Sequence, residues 1–76
     1  MSITVKYFAS IRERVCKGED TIESKGIGCV EDVWAVSAGI PLPGNTLMAV
    51  NMEYARPEQA VRDGDEVAFF PPVTGG

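Results

Sequence analysis

One long amphipathic-helix pattern lies between segments typical of β-strands, and this order restricts the fold more than any other feature of the sequence. Apolar residues at Val30, Val33 and Trp34 predict a helix from Val30 to about Ala38, and Gly39 is suited to end it. A chain of 76 residues has room for one core. The pattern therefore predicts an α+β domain whose mixed sheet packs on one main helix.

The strands follow from alternating residues and from turn signals. A first strand is predicted at 2–8 and a short helix at 10–15. Further strands are predicted at 21–24, 47–51 and 66–70, with a turn at 51–54 and one helical turn at 57–61. We therefore expect a domain at 1–70 with about four to five strands, followed by an extended C-terminal tail at 71–76.

Composition excludes several classes of function. The net charge of −4 would repel a phosphate backbone, so nucleic-acid binding is not expected. The chain has no histidine, and Cys16 and Cys29 form no CxxC pair, so a metal site is not expected. There is no secretory signal and no apolar run near the ~20 residues that cross a membrane. The cytoplasm is the expected compartment.

The final residues, PPVTGG, predict an arm that ends in a reactive group. Pro71 and Pro72 lack a backbone donor and favour an extended exit from the sheet. Gly75 and Gly76 would fit a channel too narrow for any Cβ. Adenylation by a partner would make the Gly76 carboxylate an electrophile, and sulfide could then convert it to a thiocarboxylate. This chemistry needs no catalytic side chain in the carrier.

Three segments resemble the small subunit of molybdopterin synthase. DGDEVAFFPPVTGG, residues 63–76, is similar to the C-terminal signature of that family. VKYFASIRE, residues 5–13, resembles its first strand and short helix, and Ala49-Val50-Asn51 resembles its central strand. The matches cover about half of the chain, while residues 16–48 are only loosely similar. The resemblance implies a ubiquitin-like β-grasp fold.

The resemblance also implies a sulfur-carrier function. In that family the terminal glycine, here Gly76, is adenylated by an ATP-dependent activating enzyme and becomes a thiocarboxylate. Val73, Thr74 and Gly75 would then thread into a pocket of the large synthase subunit, where sulfur passes to cyclic pyranopterin monophosphate. The implied partners are the large subunit, in a heterotetramer, the activating enzyme and a sulfur-donor protein. The chain itself would be a non-catalytic subunit without a bound cofactor.

The docking face of that family is an apolar patch on the sheet, and the matching positions are Phe8, Tyr54 and Phe70. Tyr54 departs from the aliphatic residue that is usual there. Spacing alone also fits Phe8 and Phe70 as core residues, although alternation predicts that only one of Phe69 and Phe70 faces the helix. Arg12 would either meet acidic groups of a partner or lie on a solvated helix face.

Other interpretations remain open. A carrier for thiamine thiazole sulfur also ends in Gly-Gly, and a protein modifier would form isopeptide bonds through Gly76. A binding module that is not reactive would not need Gly75 and Gly76. Cys29 lies at the predicted N-cap of the main helix, as a weak cap, a buried thiol or a slightly nucleophilic one.

Overall fold

The computed structural model describes residues 1–72, in which strands and helices alternate. The elements are β1 (Ser2–Tyr7), α1 (Ala9–Val15), β2 (Glu19–Glu23), α2 (Val30–Ser37), β3 (Leu47–Val50), β4 (Glu53–Ala55) and β5 (Glu66–Phe70). Across residues 1–72, no helix has the length and apolar character that spanning a membrane requires.

The five strands form one mixed sheet in the order β2-β1-β5-β3-β4. β1 and β5 run parallel at its centre, with Thr4 opposite Glu66, and the other neighbouring strands are antiparallel. α2 packs across one face of this sheet and leaves the other face open. The predicted mixed sheet on one main helix is therefore confirmed.

The core lies between the sheet and α2 because alternate strand residues point towards the helix. Ile3, Val5 and Tyr7 of β1 are almost completely buried, as are Val67 and Phe69 of β5. From α2 the buried residues are Val30, Val33, Trp34 and Ser37, which confirms the predicted inner stripe. The rings of Tyr7, Trp34 and Phe69 pack together with centroids 4.9–5.9 Å apart.

One local prediction is right only in part, and another is wrong. The predicted turn at 51–54 is a two-residue turn, Asn51–Met52, followed at once by the short edge strand β4, because Glu53 already pairs with Val50. The predicted helical turn at 57–61 is absent from the described structure. A turn closed by the Gln59 N–H and the Arg56 carbonyl occurs there instead, and Ala60 pairs with Cys29 in an isolated bridge.

A partly buried chain of hydrogen bonds ties the sheet to the end of α2. The Tyr7 hydroxyl donates to Ser37 Oγ, and the Ser37 hydroxyl donates to Asp20 Oδ2 at 2.7 Å. Lys17 Nζ donates to the same carboxylate oxygen at 2.9 Å. The bonds from Lys17 and Ser37 hold the pKa of Asp20 below its ordinary value, while burial raises the pKa of Tyr7.

Acid should destabilise the protein partly through Asp20. Because the folded-state pKa of Asp20 is lowered, its contribution is complete above the ordinary value of 3.8 and is lost as pH falls through the folded value. An Asp20→Asn variant should therefore lose part of the fall in unfolding free energy between pH 5 and pH 2, measured by urea titration. Glu58→Gln, which neutralises an exposed loop carboxylate, should retain the original slope. An unchanged slope in Asp20→Asn would contradict the assignment.

Candidate docking groove and tail attachment

The open face of the sheet carries a shallow apolar groove beside the end of β5. The groove has a volume of about 520 Å³. The residues that line it are Phe8, Ala49, Met52, Tyr54, Glu66, Ala68 and Phe70. The structure therefore brings together the three aromatic residues that the sequence predicts for partner binding.

Strand register explains the shape of this groove. Ala49 lies opposite Ala68 on one side and opposite Tyr54 on the other. Alanine side chains are short, so they form a low floor, and the rings of Tyr54 and Phe70 rise beside it. Those two ring centroids are 6.0 Å apart at an interplanar angle of 48°. The result is an apolar depression with aromatic walls.

Phe69 and Phe70 face opposite sides of the sheet, as alternation predicts. Phe69 is fully buried beneath α2, whereas Phe70 is partly exposed on the groove side. Phe8 is 48% exposed and Tyr54 is 79% exposed, so neither belongs to the core. Aromatic side chains exposed side by side are typical of an interaction surface.

Phe8 reaches the groove because the chain leaves β1 at this point. Its N–H donates to the Phe69 carbonyl at 3.1 Å, which extends the pairing of β1 with β5 by one residue. Ala9 follows with a φ of 51°, and α1 then begins. The backbone thus holds Phe8 next to the end of β5.

Charged residues mark one border of the groove. Lys6 Nζ lies 3.6 Å from Glu66 Oε1, and both side chains are partly exposed. A surface ion pair of this kind adds little stability. Its position matters more, because it separates the apolar half of the open face from the polar half formed by β1 and β2.

Arg12 lies away from the groove lining. It is exposed on α1, and its side chain lies along Gly18, where an added Cβ would come 3.1 Å from Arg12 Nε. The Arg12 N–H donates to the Phe8 carbonyl at 3.2 Å, but Arg12 is not among the residues that line the groove. Its predicted contact with a partner stays a prediction.

The predicted tail begins at the groove. Phe70 is the last residue of β5, and Pro71 and Pro72 follow it outside any regular element. The predicted site residues Val73, Thr74, Gly75 and Gly76 lie outside the described residues. What the structure does place is the start of the tail, directly after a residue of the groove wall.

Two of the motifs that carry the family resemblance are joined to each other. Asn51 Nδ2 donates to Asp65 Oδ1 at 3.0 Å, and Asn51 Oδ1 accepts the Glu66 N–H at 3.0 Å. The bond from Asn51, with that from the Arg62 N–H, holds the pKa of Asp65 below its ordinary value. These bonds brace the β3–β4 turn against the start of β5, so they fix the groove rather than supply chemistry.

Cys29 occupies the N-cap of α2, as predicted, but within residues 1–72 its thiol makes no capping hydrogen bond. Loop carbonyls accept the first helical N–H groups instead: the Val30 N–H donates to the Gln59 carbonyl at 3.0 Å and the Glu31 N–H donates to the Pro57 carbonyl at 2.9 Å. Asp32 accepts the Gly28 N–H, just before the helix, at 2.9 Å. Cys29 is half-buried. In the described part of the chain, no group of three His, Cys, Asp or Glu residues is placed to hold a metal ion.

Four residues of the groove were not predicted as site residues: Ala49, Met52, Glu66 and Ala68. Alternation along β5 could have found Glu66 and Ala68, since both share a face with Phe70. Ala49 becomes visible only through the register of β3 with β5. Met52 gave no signal, because a turn was predicted at 51–54 but the hairpin that places Met52 beside the groove was not.

A mixed five-stranded sheet packed on one helix, with a groove where the tail begins, defines a ubiquitin-like β-grasp protein. SAMP1 from Haloferax volcanii has the same fold, with a TM-score of 0.77 and 26% identity over 100% of both chains. The complex of subunits 1 and 2 of the molybdopterin-converting factor from Helicobacter pylori also matches, at a TM-score of 0.69 over 100% of both chains. At 20% identity the latter shows the fold alone.

Sequence comparison identifies the family. The model of the ThiS family matches residues 5–76, and the chain belongs to this family. The molybdopterin synthase sulfur carrier subunit of Chlamydomonas reinhardtii is 40% identical over 83 residues, which cover 100% of both chains. The subunit of the same name from Escherichia coli (strain K12) is 39% identical over 85 residues, covering 97% of this chain and 99% of that one.

Proposed function

We propose that this chain is the sulfur carrier subunit of a molybdopterin synthase and acts in the cytoplasm. The observation that carries the proposal is the apolar groove beside the point where β5 leads into PPVTGG. The similarity to carrier subunits over the full length of the chain supports the same function.

The large subunit of the synthase is the proposed occupant of the groove. A protein that receives the tail in its own active site must approach the end of β5, and Phe70 lies there next to Phe8 and Tyr54. Burying these rings would remove apolar surface from water and fix the direction in which the tail leaves. The relatives from Chlamydomonas reinhardtii and Escherichia coli are named as subunits of a synthase, which supports a partner of this kind.

The chemistry proposed for the tail takes place at the Gly76 carboxylate. A carboxylate oxygen attacks the α-phosphorus of ATP in an activating enzyme, which releases pyrophosphate and leaves an acyl adenylate. Sulfide from a donor protein then attacks the acyl carbon, and the C–O bond to AMP breaks as the C–S bond forms. The thiocarboxylate sulfur is a soft nucleophile for cyclic pyranopterin monophosphate in the large subunit. Acid and base groups for that transfer come from the partner.

Sulfur loading can be followed by intact-mass spectrometry. After incubation with ATP, the activating enzyme and a sulfur source, the mass should rise by the difference between one sulfur and one oxygen atom. After tryptic digestion the added mass should lie in the fragment of residues 63–76, and not in the fragments that contain the free thiols Cys16 and Cys29. A chain without Gly76 is the matched control and should keep its original mass. Sulfur that appears on a cysteine, or on the truncated chain, would refute the proposal.

Protein modification is a second candidate because of the likeness to SAMP1, a small archaeal modifier protein. An acyl adenylate reacts with an amine as well as with sulfide, so Gly76 could form an isopeptide bond with a lysine. Arg62 is the last tryptic site before Gly76, so lysines of other proteins that carry residues 63–76 as a branch after tryptic digestion of a lysate would support this second function. Their absence, together with a thiocarboxylate at Gly76, would leave sulfur transfer as the function.

A further inference from the structure

The two-residue turn between β3 and β4 has an unusual residue at its second position. Asn51 has a φ of 50° and Met52 a φ of 70°, and Val50 pairs with Glu53 on either side of them. Positive φ at both central residues is the requirement of a type I′ hairpin turn. Asparagine suits the first position, and glycine is strongly preferred at the second. This chain has methionine there.

A methionine at this position is strained. The left-handed backbone region brings Cβ close to the carbonyl oxygen, a conflict that glycine avoids. Nothing in the core compensates, since Met52 is 91% exposed. The residue therefore destabilises the isolated protein through its backbone conformation.

The location of Met52 suggests why a large apolar residue is present. Its side chain lines the same groove as Phe8, Tyr54 and Phe70, at the tip of the hairpin that borders the groove. The Asn51–Asp65 hydrogen bond holds this tip against the turn before β5. A flexible thioether side chain is thus presented from a fixed backbone, next to the aromatic walls. Methionine at such a place adapts well to the surface of a partner.

We propose that Met52 is a specificity-determining contact residue, which inserts into an apolar recess of the large subunit and is retained at the expense of stability in the free chain. This inference rests on the proposed function. It adds a fourth anchor to the groove, one that neither alternation nor residue type predicts. It also makes the β3–β4 turn, and not only the open sheet, part of the interface.

Three variants of Met52 separate strain from contact. Met52→Gly removes both, so the Tm of the free chain should rise by roughly 4 °C, while the Kd for the large subunit from the same genome should rise about tenfold. Met52→Gln keeps the length and the strained backbone but not the apolar tip. It should weaken binding to a similar extent without a gain in Tm. Met52→Leu keeps apolar volume and should bind like the original chain.

Val36→Gln is the matched control, because Val36 is an exposed apolar residue of α2, on the opposite side of the sheet from the groove. It should leave the Kd unchanged. Calorimetric titration gives the Kd, and thermal unfolding followed by circular dichroism gives the Tm. Equal affinity of the Gly, Gln and original chains would overturn the role of Met52 and leave the proposed function intact. If the original chain also fails to bind, the proposed function and this inference both fall.

Discussion

Phe69→Ala should lower the free energy of unfolding by about 3–5 kcal/mol. Phe69 is fully buried, its ring stacks on that of Tyr7, and it meets the edge of Trp34 at a centroid distance of 4.9 Å. Truncation would leave a cavity between β5 and α2 that rigid neighbouring strands cannot close. Since small domains have a total stability of only about 5–15 kcal/mol, the variant should be close to unfolding at 37 °C. Urea titration followed by far-UV circular dichroism measures the change.

Phe69→Leu is the informative companion, because it retains most of the apolar volume and should be affected less. Val36→Ala removes an exposed apolar group from α2 and should change the stability by no more than about 0.5 kcal/mol. If Phe69→Ala were as stable as the Val36 control, the packing of the three aromatic rings described above would be wrong.

Phe70→Ala, one residue further along, should change the stability of the free chain little and weaken binding to the large subunit. Phe70 is on the groove side of β5, so its truncation should cost the free chain much less than truncation of Phe69. Its contribution should be found in the complex. Loss of a central aromatic anchor typically costs 2 kcal/mol or more, so the Kd for the large subunit should rise at least about thirtyfold. Calorimetric titration against the large subunit measures this directly.

Thr21→Ala provides the control for that experiment. Thr21 is exposed on β2, at the far edge of the same open face, and lies opposite Thr4. It should bind normally if the interface is centred on the groove. Unchanged binding by Phe70→Ala, with Thr21→Ala weakened, would move the interface to the polar half of the sheet and contradict the docking model.

Much of this fold can be predicted from the sequence, because the spacing of apolar residues in the longer elements is clearly that of a strand or of a helix. Alternation of Ile3, Val5 and Tyr7 gives β1, and the Val30–Trp34 spacing gives α2, each within one residue of the observed boundaries. Phe8 and Phe70 could be core or surface by spacing alone. The resemblance favoured the surface, and the groove of the described structure now contains both.

The errors fall where local signals are weak. β2 begins at Glu19 rather than Thr21, because pairing with Lys6 of β1 extends it through residues that resemble a turn. β4 has only three residues, too few for alternation to be visible, and it depends on register with β3. The β3–β4 hairpin was not predicted, because Met52 stands where the usual Asn-Gly turn signal has glycine. In each of these cases the boundary or the element depends on pairing with a strand elsewhere in the chain, and a single sequence does not show which strands pair.

The parallel pairing of β1 with β5 has a consequence for synthesis. Thr4 and Glu66 are neighbours in the sheet but roughly 60 positions apart in the chain. A nascent chain that has emerged only as far as β4 holds two separate strand pairs, β1–β2 and β3–β4, and the apolar side chains of β1 lack their neighbours on β5. Stable folding must therefore wait for β5, and during translation the incomplete chain is exposed to chaperones and to aggregation. Any ribosome stall before Glu66 should yield a product that proteases remove rapidly.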